Sequence, residues 1–160
     1  MSGSYFRTSR NIELSTIYFL ETSLASDWTG VTVCKTFKEV YASSVPLPIV
    51  CVRLAETSTT RLEIGSTTIE NRYLLIIDIF SKSDAQRLDL ADYMKDKLKD
   101  GWVHYDHSHQ SGDNSVLERT VNGRDWVTDW NTDGKVDFGE AADEKDKFRH
   151  TISFLVRKSS

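Results

Sequence analysis

The chain has 160 residues, 39% of them apolar and 28% charged, which fits one compact domain over 1–160 and leaves little room for a second. No apolar run approaches the roughly 20 residues that cross a bilayer, and the Met1-Ser-Gly-Ser start lacks the basic-then-apolar layout of a signal peptide, so no membrane role is expected. Lys plus Arg number 20 against 24 Asp plus Glu, and this mildly acidic balance without a basic stripe argues against tight nucleic-acid binding.

In chain order, residues 11–24 place Leu14, Ile17, Tyr18, Leu20 and Leu24 on one arc of a helix. Ile12 and Phe19 fall on the opposite face, which predicts a subunit interface there or packing under the Tyr5-Phe6 arm. Cys34 and Cys51 each sit in an apolar run and read as buried thiols of a reducing compartment. After Pro46-Leu-Pro48, residues 49–54 read as an inner strand with 31–34 beside it. Residues 61–65 and 71–80 read as a hairpin turning near 66–69. Within 71–80 both alternating faces are apolar, as in a central strand.

Ser83-Asp-Ala-Gln86 has capping-box spacing, Lys95, Lys97 and Lys99 crowd the last turns, and Gly101 stands at the C-terminal cap, so a helix is predicted from about 84 to 99. Its apolar arc is Leu88, Leu90, Ala91, Met94 and Leu98. Residues 107–115 read as one polar loop, and 151–157 as a closing strand with one wetter face. The fold class is therefore α+β: a mixed, mainly antiparallel sheet packed by two helices, with an inserted polar segment resembling a calcium loop at about 101–147.

Asp129, Asn131, Asp133, the Lys135 carbonyl, Asp137 and Glu140 match the ligand positions of an EF-hand calcium loop, with Gly134 at its turn. The entering segment after Gly123 is too short for a paired EF-hand helix, so two readings stay open. One is an isolated Ca2+ site of weak affinity. The other is a β-hairpin turning at Asp133-Gly134. His104, Asp106, His107 and His109, with His150, have spacings that a zinc site could use, but no cysteine accompanies them, so they read as solvated loop residues. No nucleophile motif or phosphate-cradling glycine loop appears, and no enzymatic activity is expected.

The order helix, Pro-led strand (48–54), Thr-rich hairpin, long strand Tyr73-Leu-Leu-Ile-Ile-Asp-Ile-Phe80, capped helix and closing strand resembles the tail terminator, or tail-completion, proteins of long-tailed bacteriophages. The resemblance covers residues 10–100 and 148–158. It implies a structural virion protein, assembled in the host cytoplasm, whose copies close into a hexameric ring. Such a ring caps the tail tube protein and meets the head connector and other neck proteins, while DNA passes through without specific binding. It also implies no cofactor. A head-closure or other connector protein, or a calcium-binding interaction module, is the alternative that the same residues leave open.

Overall fold

The computed structural model describes residues 8–42, 44–65, 67–109, 116–137 and 144–159, with backbone alone at 108, 109, 116–118 and 144. The elements run α1 (Thr8–Asp27), β1 (Thr32–Cys34), α2 (Phe37–Val40), β2 (Ile49–Arg61), β3 (Ile69–Phe80), α3 (Asp84–Leu98), β4 (Trp102–His109), β5 (Val116–Val136) and β6 (Arg149–Ser159), with a short 3-10 turn at Glu144–Asp146. The chain is thus mixed α and β, mostly sheet. The six described strands join one sheet in the order β1-β2-β3-β6-β5-β4. Among them, only β1 and β2 are parallel. No described helix is long and apolar enough to cross a membrane.

Tyr73, Leu75, Ile77 and Ile79 of β3 and Ile152, Phe154 and Val156 of β6 point to one face, where they share a core with Leu90, Ala91, Met94 and Leu98 of α3. The α3 ends are built locally. Ser83 Oγ accepts from Gln86 N (3.2 Å), Gln86 Oε1 accepts from Lys82 N (2.8 Å), and Gly101 takes φ +76° to turn the chain into β4. Leu88, expected on the apolar arc, is half exposed, and Arg87 is buried instead, its guanidinium 2.6 Å from His150 Nδ1.

The sheet curls, and α1 lies between its two ends. Toward β2, Glu13 Oε2 accepts from Leu54 N (2.8 Å). Toward β4, Ser15 Oγ accepts from Tyr105 N (2.9 Å) and Asn11 Oδ1 from His107 N (3.2 Å). A helix flanked on two sides buries more than one arc, which corrects the expected interface face: Ile12 is fully buried in the core, and Phe19 stacks on Trp102 at 6.1 Å.

The opposite face of the sheet carries a smaller cluster of Cys34, Val40, Ile49, Cys51 and Phe80. Both cysteines are free and buried there, and burial pushes the Cys51 thiol up to about 12. Beside them Asp78, almost wholly buried, accepts at Oδ1 from Thr151 Oγ1 (2.7 Å) and Arg149 Nη2 (3.1 Å), while Oδ2 lies 3.7 Å from Arg53 Nε, so two guanidiniums offset this charge in a dry setting.

Two further expectations change. Residues 49–61 are one strand paired along β3, so 61–65 is the end of that strand and the start of a turn, not a strand of its own. Segment 101–147 is not a polar insertion beside the sheet; over its described residues it supplies β4 and β5, and β5 pairs with β6 from Arg124↔Ser159 to Val136↔Arg149.

Candidate functional site

Over its described residues, the calcium-like segment adopts neither shape read from its sequence. Asp129, Asn131, Asp133 and Lys135 lie along β5, with Asp129 opposite Leu155 and Lys135 opposite His150. At about 3.3 Å per residue, Asp129 and Asp133 stand roughly 13 Å apart along the strand, well beyond what one cation gathers with ligands about 2.4 Å away. The carboxylates have protein partners instead. Asp129 lies 3.4 Å from Arg72, while Asp133 accepts from Lys95 Nζ and from His150 Nε2. Burial raises the Asp133 carboxyl, but Lys95 and His150 outweigh it and hold it below its ordinary value. Asp137 is exposed at the end of the strand, and Glu140 lies outside the described residues. Among the described residues no three His, Cys, Asp or Glu side chains form a group that could hold a metal.

This pairing sets an expected result for calcium. Millimolar Ca2+ against chelator should shift the melting temperature by less than about 1 °C, because binding would have to compete with the β5–β6 ladder. A larger rise that Glu140→Gln abolishes would reinstate the calcium loop.

The histidines differ from their reading as solvated loop residues, because 102–109 is a strand. His104 and His107 are both buried on β4. His104 Nδ1 lies 3.0 and 3.1 Å from the Asp125 carboxylate oxygens, and Asp125 is itself fully buried on β5. Burial pushes the Asp125 carboxyl up, and His104 partly reverses this. Asp106 is held by amide donors from Asn11 (3.2 Å) and Asn122 (3.0 Å). His150 lies across the sheet with Arg87 and Asp133, so the histidines do not gather. His109 has no described side chain.

His104 and Asp106 open onto a cleft of about 650 Å³, walled also by Tyr73, Glu70 and Arg157. Glu70 and Arg157 pair across it at 3.4 Å. Asn11, Asn122 and Asp125 escaped the sequence reading, since polar residues on a helix and a strand give no signal until the sheet curls them together.

The most exposed apolar residue, Ile64, lies elsewhere. β2 and β3 continue as a hairpin whose β2 residues 55–61 are all exposed. At its tip Leu62 and Ile69 are half exposed and Ile64 is wholly exposed. Leu62 N donates to Thr68 O (3.3 Å), and Gly65 at φ +81° supplies the left-handed turn residue. An apolar tip on a polar, Thr-rich arm leaves up to about 1.5–3 kcal/mol per large side chain to be gained on burial. Comparison of the chain with known protein families and with curated proteins finds no match.

Proposed function

We propose that the chain is a structural virion protein of a bacteriophage neck, whose copies close into a ring, hexameric by resemblance, that terminates the tail tube and joins it to the head connector. The observation that supports this reading is the exposed hairpin with its apolar tip, a protrusion suited to a neighbouring subunit. The net charge of −4 suits a ring that DNA traverses, because phosphate contacts with a basic lumen would hold the DNA. Assembly through a protrusion needs no cofactor and no reaction.

Native mass spectrometry with negative-stain microscopy tests the proposal. The purified chain is expected to form closed rings. Leu62→Ser with Ile64→Asp should leave the circular dichroism spectrum intact while raising the concentration for half-assembly by roughly tenfold or more, as losing one buried apolar side chain already costs about that much. A wild-type chain that stays monomeric at high concentration overturns the reading.

A further inference from the structure

We infer that the Leu62-Glu63-Ile64 tip of one copy seats in the groove between α1 and β4 of the next copy. This deepens the ring reading and rests on it. The groove has a volume of about 280 Å³ and is walled by Tyr18, Phe19, Trp102, Val103, Tyr105 and Arg124. Its aromatic walls are already locked against one another: Phe19 stacks on Trp102 at 6.1 Å, and Tyr18 meets Tyr105 edge-on at 5.6 Å. A preformed apolar slot loses little side-chain freedom when filled.

Charge selects the occupant. Among the described residues no aspartate or glutamate lines the groove, and Glu21 on α1 lies near Arg119 at its rim. Its rim carries Arg124, stacked 5.0 Å from the Trp126 ring, and Arg119, 4.0 Å from the Tyr18 ring. Arg124 gives one of its N–H groups to Asp100 O (2.9 Å), and a guanidinium carries five in all. On the hairpin, Glu63 is the sole charged residue of 62–69, set between two exposed apolar side chains. An apolar tip with one carboxylate thus faces an apolar slot with two guanidiniums. Tip and groove share no residue, so the contact is head-to-tail, the kind that propagates around a ring. Of the helix-one face anticipated from sequence as an interface, Phe19 contributes here, joined by Tyr18 from the arc expected to face the core, with Ile12 excluded by its burial.

A charge swap tests the contact in the full-length chain, with ring formation read by native mass spectrometry across a concentration series. Glu63→Arg and Arg124→Glu, each checked for folding by circular dichroism, should each raise the concentration for half-assembly about tenfold or more, and the double variant should recover most of that loss. Glu63 lies on an exposed turn, so its reversal does not put folding at stake. Should Arg124→Glu fail to fold, Ile64→Cys paired with Thr22→Cys replaces it. Air oxidation should then yield a ladder of disulfide-linked multimers, since the native Cys34 and Cys51 are buried. Wild-type rings that both single reversals leave unchanged, or no ladder, overturn this docking and leave the ring reading standing. A monomeric wild type removes both.

Discussion

Trp102→Ala is expected to cost about 3–5 kcal/mol of folding stability, the range for removing a large aromatic side chain from a core. Trp102 is 1% exposed and stands where β4 begins. Its ring stacks on Phe19 of α1 and meets Phe154 of β6 edge-on at 6.3 Å, so one side chain joins the helix, the edge strand and an interior strand. The cavity could close only if α1 moved toward β6, and α1 is tethered to the β4 backbone through Ser15 and Asn11. Against a total stability of about 5–15 kcal/mol the loss is large, and the melting temperature should fall by on the order of 10 °C. Urea titration gives the direct check. A lower midpoint at unchanged slope is expected, and a loss under about 1 kcal/mol would show that Trp102 does not hold the curled sheet to α1.

The second large effect is acid destabilisation through His107. This imidazole is 2% exposed, and among the described residues neither ring nitrogen has a hydrogen-bond partner of good geometry. Burial first, then Arg119 opposite it on β5, with His104 and Arg10 adding to the repulsion, outweigh a raising contact with the Tyr105 backbone and lower its pKa to about 4. An unfolded chain restores an ordinary value near 6.5, so on acidification the unfolded state takes up the proton first. The stability that neutral His107 permits is therefore fully present above about pH 6.5 and is lost progressively as pH falls to about 4. The gap corresponds to roughly 3 kcal/mol at about 1.4 kcal/mol per pH unit. Asp125, whose carboxyl burial pushes up, binds its proton more readily when folded and offsets part of the loss at the acid end. His107→Phe removes the titrating group while keeping a ring in the slot. Between pH 7 and pH 4 the wild type should lose roughly 3 kcal/mol more than this variant, and parallel pH profiles would refute the assignment.

Local chemistry made some of the fold readable in one dimension. The Ser83 cap, the Gln86 return bond and Gly101 bound α3 because each acts within four residues of its target. Tyr73, Leu75, Ile77 and Ile79 marked β3 as interior because side chains alternate across any strand. The burial of Cys34 and Cys51 followed from their apolar surroundings. By contrast, β4 and β5 were illegible, since beside Trp102 their inward residues include His104, Asp106 and Asp125, whose burial is tolerable only once Asn11, Asn122 and the His104–Asp125 pair satisfy them. Those partners lie 16 to 95 residues apart in sequence. The same holds for Asp129 to Asp137: their spacing suits a wound loop, but the backbone hydrogen bonds to β6 hold residues 129–136 extended. For Ile12, the helical wheel placed it opposite the core arc, yet a helix held between two sheet ends has core on both sides. Residue order therefore determined the elements whose signals are local, and the curl of the sheet around α1 decided which polar residues are inside, because long-range pairing sets which groups lose water.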